Sequence, residues 1–313
     1  MSRYLVTGGA GFIGSHIAGA LLEQGASVRV LDNFSSGKRE NLPGLADSGS
    51  RTRLEVIEGD LRDVAQVGEA VRGVDIVFHE AAFVSVAESM LKPQDCFDVN
   101  VGGTAKLLDA ARTAGVQRVV IASSAAVYGD SDALPLTETT PARPLSPYAA
   151  SKSADELYAA LYTQVFGLGV VSLRYFNVYG PRQRPDSAYA AAVPIFIRRL
   201  LDGLPATIFG DGKQTRDLIF VADVVQANLI ASMHAAAPGQ VFNICTGQET
   251  VLLDLLDVLH QLYPDSPPPV FGPPRAGDIH KSLGSPAKAL DLLGFCAQTS
   301  LADGLKATLE WMR

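Results

Sequence analysis

A glycine-rich turn between two apolar runs, close to the start of the chain, constrains the fold more than any other feature. The stretch from Tyr4 to Asn33 reads YLVTGGAGFIGSHIAGALLEQGASVRVLDN. A short apolar run ends at the glycines, an apolar-periodic segment follows from Phe12 to Leu22, and a β-branched run ends in Asp32. This order predicts a strand, a tight turn, a helix and a second strand, which form one βαβ unit with a phosphate-binding turn.

The glycines of this turn fit the spacing expected for a dinucleotide. Gly9, Gly11 and Gly14 match G-x-G-x-x-G, and Gly8, Gly11 and Gly14 fit a three-residue spacing equally well. Such glycines allow a positive φ, remove a Cβ that would block a pyrophosphate, and let helix and strand pack closely. The helix start then directs backbone N–H groups and its positive dipole end at the phosphates.

An acidic residue ends the second predicted strand. Asp32 lies about 20 residues beyond the turn, where a carboxylate accepts from an adenosine ribose hydroxyl and repels a 2′-phosphate, so the sequence favours NAD over NADP. The polar loop NFSSGKRENL follows and suits the adenosine half, with Gly37 and Lys38 near the ribose. Asp60, after the next apolar run, has two open roles: accepting from the adenine amino group, or capping the following helix.

Composition excludes several classes of protein. The 313 residues are 47% hydrophobic and 19% charged, which allows a substantial core, and the net charge of −7 argues against nucleic acid as a partner. Cys96, Cys245 and Cys296 have neither metal-ligand spacing nor an even disulfide set. The chain enters a strand at once, so no signal peptide is predicted, and no apolar run reaches the ~20 residues of a membrane span. We expect no metal, no membrane contact and a cytoplasmic location.

The remaining sequence predicts further strands at 53–57, 74–79, 119–122 and 170–175, and long helices at 94–115 and 148–166. Small residues after His79 would let a cofactor lie against the backbone, whereas His79 itself fits a structural role better than a catalytic one. Beyond residue 176 the chain becomes rich in loops, with helices near 191–202, 222–235, 251–263 and 301–312. We therefore predict an α/β fold with a Rossmann-type doubly wound parallel sheet: residues 1–175, completed by about 217–240, form the NAD-binding domain, and 176–313 a smaller C-terminal α/β lobe.

Tyr148 and Lys152 form the predicted catalytic pair. Their i, i+4 spacing places both side chains on one face of a helix, and an ammonium beside a phenol favours the phenolate. Such a tyrosine can take a proton from a sugar hydroxyl, and Ser124 at the end of the preceding strand can bridge the two. Tyr-x-x-x-Lys alone is a weak signal, but its combination with strand-end serines and a Rossmann opening is specific.

Together, TGGAGFIGSH, the Asp32 strand end, SSAAVYG, the Tyr148 motif and RYFNVYGP resemble the extended short-chain dehydrogenase/reductase family, and within it the NAD-dependent nucleotide-sugar 4-epimerases of the UDP-glucose/UDP-N-acetylglucosamine type. The resemblance covers nearly the whole chain. It implies catalysis by Ser124, Tyr148 and Lys152. It implies NAD contacts from Gly8, Gly11, Phe12, Ile13, Gly14, Asp32, Asn33, Ser35, Ser36, Gly37, Asp60, Leu61, Ala81, Ala82, Asn100, Tyr148, Lys152 and Tyr175. It implies a UDP-sugar site formed by Ser85, Ser124, Ala125, Tyr148, Asn177, Ala192, Val193, Phe209, Arg216, Arg275, Asp278 and Ser282.

Departures from the patterns of relatives inform the substrate. SSAAVYG lacks the Asp-Glu pair of 4,6-dehydratases, because Ala125 and Ala126 stand there. Asn177 stands where uronic-acid epimerases tend to have threonine, which argues for an uncharged hexose. Ser282 replaces the bulky tyrosine of a glucose-restricted relative and leaves room for a 2-acetamido group, while Val84 replaces a glycine of N-acetyl-preferring relatives.

The resemblance therefore implies 4-epimerisation of UDP-glucose, UDP-N-acetylglucosamine or both, through a 4-keto sugar. The alternatives are another nucleotide-sugar-modifying member of the family (a dehydratase, decarboxylase or reductase) or a UDP-uronic acid 4-epimerase. For Arg216 a salt bridge to Asp217 or a contact to a helix end stays open as the alternative to a diphosphate contact, and for Phe209 ordinary core packing. Relatives pair their two long helices with those of a second copy, which implies a homodimer.

Overall fold

A parallel sheet of seven strands forms the centre of the molecule. The computed structural model describes residues 2–42, 53–185, 192–274 and 280–313. All neighbouring strands of this sheet run parallel, in the order β11-β6-β5-β4-β1-β2-β3. Its strands are β1 Arg3–Thr7, β2 Ser27–Asp32, β3 Leu54–Glu58, β4 Ile76–His79, β5 Arg118–Ser124, β6 Gly169–Tyr175 and β11 Val241–Ile244. The doubly wound parallel sheet predicted from the sequence is confirmed.

The strand order changes direction between β1 and β4, and this position determines where a ligand can bind. From β1 the chain proceeds outward through β2 and β3, then returns to place β4 on the other side of β1. Connections diverge at such a point, so a crevice opens at the carboxyl ends of the strands. Gly8, Glu80 and Ser124, which lie at or just beyond the ends of β1, β4 and β5, therefore lie along one edge.

Helices cover both faces of the sheet because its strands are buried on both sides. On one face, α1 (Phe12–Glu23) packs against α8 (Val221–Met233) over a core that includes Val6, Phe78 and Val120. The other face carries α2 (Val64–Val71), α5 (Gly103–Ala114) and α6 (Pro147–Phe166), over Leu5, Val77 and Val119. Short helices α3 (Val86–Leu91) and α4 (Pro93–Phe97) precede α5.

The helix predicted at 94–115 is interrupted in its regular winding. Pro93–Phe97 is α-helical, Asp98–Gly102 forms a π-helical turn, and Gly103–Ala114 continues as α-helix. A π turn widens the helix by one residue and often marks a functional position. Asn100 lies within this turn and is buried.

The later part of the chain forms a smaller α/β lobe with a core of its own. It contains the strand pairs β7 (Asn177–Tyr179) with β10 (Leu218–Phe220), β8 (Thr207–Phe209) with β13 (Val270–Gly272), and β9 (Thr215–Arg216) with β12 (Thr250–Val251). Val193, Phe196, Ile197 and Leu255 belong to its core. Its helices are α7 (Ala192–Leu201), α9 (Leu252–Leu262) and α11 (Leu301–Met312), and α10 (Ala287–Leu293) packs near β11.

Two properties of the described residues bear on function. No helix among them is both long and apolar enough to cross a membrane. Within the same ranges, no group of three or more His, Cys, Asp or Glu side chains is arranged to hold a metal ion.

Candidate active site

The turn between β1 and α1 is compressed to the point where glycine is required. Gly8 has φ +68° and donates its N–H to the carbonyl of Leu31 at 2.8 Å. A Cβ on Gly14 would lie 2.3 Å from the Gly8 carbonyl oxygen, and one on Gly8 would lie 2.6 Å from the nitrogen of Ala81. The turn therefore lies directly against the first turn of α1 and the end of β4.

The start of α1 fits a diphosphate. Its N-cap is Gly11, and no side chain caps the helix. The first N–H groups of a helix have no partner within the helix, so those of Phe12 and Ile13 are suited to bind phosphate oxygens, together with the positive end of the helix dipole. These residues are among the NAD contacts predicted from the sequence.

The adenosine end of the cleft is organised around Asp32. Its carboxylate accepts from Ala10 N at 2.9 Å and Phe34 N at 2.8 Å, which fixes it at the end of β2. Burial raises the pKa of Asp32, and these two hydrogen bonds oppose the rise. Gly37 lies beside Ala10, since a Cβ on Gly37 would be 2.8 Å from the Ala10 carbonyl carbon. An anionic acceptor therefore lies next to the phosphate turn, as a ribose hydroxyl requires.

Asp60 lies beside Asn33, not at a helix start. Its carboxylate accepts from Asn33 Nδ2 at 2.9 Å and from Arg62 Nε and Nη2 at 2.9 and 2.8 Å. The hydrogen bonds from Arg62 are the main cause that holds the pKa of Asp60 well below its usual range. The helix-cap alternative for Asp60 is wrong, because Asp63 caps α2 by accepting from Ala65 N and Gln66 N.

Three other predicted NAD contacts lie around these two aspartates. Ser35 donates its N–H to Asn33 Oδ1 at 3.0 Å, and the carbonyl of Ser36 accepts from Arg184 Nη1 at 3.2 Å. Leu61 is buried at 5% exposure. The loop after β2 is thus tied both to the turn and to the later part of the chain.

Asn100 organises the segment that follows β4. Its Oδ1 accepts from Phe83 N at 2.7 Å, and its Nδ2 donates to the Phe83 carbonyl at 3.1 Å and to Ser151 Oγ at 2.8 Å. Ala81 donates its N–H to Thr7 Oγ1 at 3.3 Å. Ala82 lies between Ala81 and Phe83, whose backbones are both held by hydrogen bonds to side chains. The amide of Asn100 therefore joins this segment to the helix that carries Tyr148 and Lys152.

Tyr148 and Lys152 lie in the first turns of α6, which packs against β5 and β6. The N-cap Ser146 accepts from Ala149 N at 3.1 Å, and Tyr148 donates its N–H to Ser89 Oγ at 3.2 Å. Ser124 ends β5 and accepts from Ala126 N at 3.2 Å. Helix α6 thus packs against β5 and the short turn that follows Ser124, with Tyr148 and Lys152 in its first turns.

Lys152 is buried and paired. Its Nζ lies 3.3 Å from Asp155 Oδ2, and both side chains are almost fully buried. Burial alone would lower the pKa of Lys152, but Asp155, Tyr148 and Glu80 outweigh it, so that pKa is raised. Lys152 therefore stays charged at neutral pH, as the role predicted for it from the sequence requires.

Tyr175 uses its hydroxyl within the protein. It contacts Glu80 Oε1 at 2.8 Å, and Asn228 Nδ2 donates to it at 2.8 Å. Tyr175 is also the ladder partner of Ser124 in the sheet. Its predicted cofactor contact is therefore left to the ring and backbone.

His79 has a buried position between two threonines. Its Nδ1 lies 2.7 Å from Thr7 Oγ1 and its Nε2 lies 2.9 Å from Thr104 Oγ1. Burial, followed by the charge of Lys152, lowers the pKa of His79 to about 3. Both ring nitrogens have partners inside the fold, which agrees with the structural role.

The predicted sugar-side residues are placed by the smaller lobe and by the loops beside it. Asn177 donates from Nδ2 to the Asp217 carbonyl at 3.3 Å. The Asp217 carboxylate accepts from Thr246 N and Oγ1 and from Gly247 N, and Arg216 Nη1 donates to the Thr215 carbonyl at 2.8 Å.

Most of the other predicted substrate contacts lie at the ends of helices and strands. Ser85 caps α3 by accepting from Glu88 N at 3.0 Å, and Ala125 begins the short 3₁₀ turn after Ser124. Phe209 ends β8 half-buried, and Ala192 begins α7. The side chain of Val193 packs into the core of the lobe at 2% exposure, which leaves its backbone for a ligand.

Ser282 is partly buried in a segment that reaches both parts of the molecule. The His280 carbonyl accepts from Thr215 N at 2.9 Å, and the Leu283 carbonyl accepts from Leu136 N at 2.8 Å. Ser282 therefore lies between β9 and the loop that precedes α6. Arg275 and Asp278 lie outside the described residues.

Two acids of the site, the buried Asp155 and the half-buried Glu80, were not predicted. Asp155 pairs with Lys152 from the same helix, and the i, i+3 spacing was a usable signal. Glu80 also had a signal, since a carboxylate directly follows an apolar strand that ends in the cleft. Its partners Tyr175 and Asn228 are distant in sequence, and only the fold brings them together.

Fold and cleft together define a dinucleotide-dependent enzyme of the doubly wound α/β class. A family model described as the NAD dependent epimerase/dehydratase family matches residues 4–245, and the chain belongs to this family. The chain is 41% identical to a UDP-glucose 4-epimerase of Mycolicibacterium smegmatis over 99% of its own length and 98% of the relative's.

Solved structures agree with this assignment. The UDP-glucose 4-epimerase of Thermotoga maritima with UDP-glucose is similar at a TM-score of 0.93 and 38% identity, over 99% of this chain and 98% of that one. A UDP-N-acetylglucosamine 4-epimerase of Methanobrevibacter ruminantium, in complex with UDP-N-acetylmuramic acid, is similar at 0.94 and 36%, with the same coverage.

Proposed function

We propose that the protein is an NAD-dependent UDP-sugar 4-epimerase, acting on UDP-glucose, UDP-N-acetylglucosamine or both. The observation that carries this proposal is that Ser124 ends β5 while Tyr148 and Lys152 begin α6, which packs against β5, in a sheet whose first turn suits NAD. Similarity to 4-epimerases over nearly the whole chain supports it. Ala125 and Ala126 supply no acid for eliminating water, which favours epimerisation over dehydration.

The residues of the cleft divide the work. Bound NAD supplies a hydride acceptor and donor for carbon 4 of the sugar. Tyr148 takes the proton of the 4-hydroxyl and later returns one, Ser124 hydrogen-bonds the same oxygen, and Lys152 stabilises the phenolate. Because product and substrate differ only in the face that receives hydride, the hexose must be held loosely and the nucleotide tightly. Asn177, Arg216, Arg275 and Asp278 are the proposed nucleotide and diphosphate contacts.

The choice of sugar rests on the segment around Ser282. A serine there leaves more room for a 2-acetamido group than a tyrosine would. Val84 is 63% exposed, so its side chain turns largely to solvent. We infer that both sugars are accepted. Incubation with UDP-glucose and UDP-N-acetylglucosamine separately, followed by NMR of each product, tests this; a product of changed mass would refute epimerisation.

Tyr148→Phe tests the catalytic assignment. Loss of a positioned acid/base should reduce turnover by about 10² or more. Tyr263→Phe is the control, since it makes the same change at a partly exposed tyrosine that follows α9 in the smaller lobe and should leave turnover near that of the wild type. Near-normal activity of Tyr148→Phe with a full complement of NAD would refute the mechanism.

We also propose that the protein works as a homodimer through α3, α4 and α6. Leu157, Leu161 and Val165 are 72%, 44% and 63% exposed and recur at i, i+4 along α6. Met90, Leu91 and Phe97, on the two short helices that contact α6, are 60%, 73% and 55% exposed. Exposed apolar side chains on three packed helices suit a second copy of the same face. Light scattering should show a dimer that Leu157→Asp with Leu161→Asp converts to monomer; a monomeric wild type would refute it.

The proposal also includes the division of the chain into domains and the location of the protein in the cell. We infer a division into an NAD-binding domain of residues 1–175, completed by about 217–240, and a nucleotide-sugar lobe of 176–313; the separate core around Phe196 and Leu255 supports it. We also infer a cytoplasmic location, supported by three free cysteines, of which Cys96 and Cys245 are buried. Limited proteolysis and cell fractionation test these two statements.

A further inference from the structure

Glu80 lies at the point where the strand order reverses. It directly follows β4, and its N–H donates to the Thr7 carbonyl at the end of β1 at 3.1 Å. Its carbonyl carbon would lie 2.9 Å from a Cβ on Gly8. Glu80 therefore stands between the phosphate-binding turn and the strand end that carries Ser124, although the proposed mechanism gives it no role.

The side chain of Glu80 is held in one direction. The hydroxyl of Tyr175 lies 2.8 Å from Glu80 Oε1. Asn228 Nδ2 donates to that hydroxyl at 2.8 Å and to the Val224 carbonyl at 2.9 Å. Because an ionised carboxylate only accepts, Tyr175 donates to Glu80 and accepts from Asn228. Strand β6 and helix α8 thus fix the carboxylate beside Tyr175, the residue that ends β6 and pairs with Ser124 at the end of β5.

The charged surroundings of Glu80 are few. The titratable groups that face it are Tyr175 from β6 and Lys152 from α6, with Asp155 and Tyr148 beyond Lys152. Burial raises the pKa of Glu80 to about 7, and Tyr175 and Lys152 limit the rise. Its charge therefore changes within the physiological range of pH.

We propose that Glu80, through its charge, sets the balance between oxidised and reduced nicotinamide in the bound cofactor. Oxidised nicotinamide carries a positive charge, and reduction by one hydride removes it. A carboxylate fixed nearby favours the charged form, and the partial burial of Glu80 limits screening by solvent. An epimerase needs oxidised NAD at the start of every turnover, so this charge protects it from arrest as NADH. The inference rests on NAD binding in this cleft and not on which sugar is the substrate.

The test is a redox equilibrium of the NAD-loaded protein. Wild type, Glu80→Gln and Glu69→Gln are each equilibrated with a two-electron dye that supplies or accepts the hydride equivalent, and NADH is read at 340 nm. At pH 8 Glu80→Gln should raise the NADH:NAD ratio about tenfold. The difference should narrow as the pH falls to 6, because the wild-type carboxyl group becomes protonated. Glu69, exposed on α2, is the matched control and should leave the ratio within about twofold of wild type.

A second variant keeps the test decisive if Glu80→Gln loses NAD. Tyr175→Phe keeps the carboxylate but removes a hydrogen bond that favours its ionised form, so the pH dependence of the ratio should move to higher pH. An unchanged ratio in Glu80→Gln with full NAD content, or an unchanged profile in Tyr175→Phe, would overturn the inference. Failure to epimerise either sugar would refute the proposed function and leave this equilibrium readable.

Discussion

Gly14 offers a direct test of how the phosphate turn is built. It lies in the first turn of α1, where a Cβ would be 2.3 Å from the Gly8 carbonyl oxygen, 1.1 Å short of the 3.4 Å at which ordinary contact begins. Backbone cannot move aside as a flexible side chain can, so Gly14→Ala must separate α1 from the turn. Overpacking of this kind costs about 1–3 kcal/mol. The same displacement moves the N–H groups of Phe12 and Ile13, so NAD should be lost as well.

A matched variant separates this clash from helix propensity. Gly68 lies in α2, and nothing is within 4 Å of a Cβ built on it. Gly68→Ala should therefore stabilise the protein by about 0.5–1 kcal/mol, the ordinary gain for alanine over glycine in a helix. Since Gly14→Ala gains the same propensity, the difference between the two isolates the clash. Denaturant unfolding and the NAD released per chain are the measurements. Equal stabilities, with NAD retained in Gly14→Ala, would refute the reasoning.

Two further predictions concern buried charged and titratable groups. Because the pKa of His79 falls to about 3 in the fold and is about 6.5 when unfolded, the unfolded chain binds the extra proton, and stability should fall by up to ~1.4 kcal/mol per pH unit below about 6.5. His79→Gln should show a smaller loss between pH 7 and 5 in urea unfolding; an equal loss would contradict this. Glu156 binds Arg174 Nε and Nη2 at 2.8 and 2.7 Å, so Glu156→Gln, which leaves a buried guanidinium without its carboxylate, should cost about 3 kcal/mol. A change below 1 kcal/mol in denaturant midpoints would contradict that estimate.

The elements predicted best are those whose signal is local. Strands buried on both faces appear as continuous apolar runs, so β1, β2, β5 and β6 could be located from the sequence to within one or two residues. Strand Val241–Ile244 was not predicted, because four residues carry little periodicity and its partner β6 is distant in the chain. The π turn at Asp98–Gly102 was missed for a similar reason: the hydrogen bonds of Asn100 to Phe83 and Ser151 fix it.

The candidate site divides in the same way. The glycine turn, Asp32, and the spacing of Tyr148 and Lys152 are local motifs. The sequence alone therefore predicts that they belong to one site. The role of Asp60 could be decided only from the structure, because an aspartate caps a helix only if the helix begins directly after it. Helix α2 begins after Asp63, so Asp63 is its cap. The position of the Glu80 side chain could not be predicted from the sequence, because it is held by Tyr175, which is 95 residues away in the chain.

The charged side chains around Lys152 do not balance one another. Lys152 contributes one positive charge, while Asp155 and Glu80 can contribute two negative charges, and burial disfavours each carboxylate. Among these three side chains there is therefore one more acid than the single ammonium can balance. Oxidised nicotinamide would supply the missing positive charge, and its reduction would return the excess to the group that protonates most readily near neutrality, Glu80. Glu80 would then take up one proton from solvent when the sugar gives up its hydride, and would release that proton when the hydride returns to the sugar. A cleft balanced in this way favours returning the hydride over keeping it.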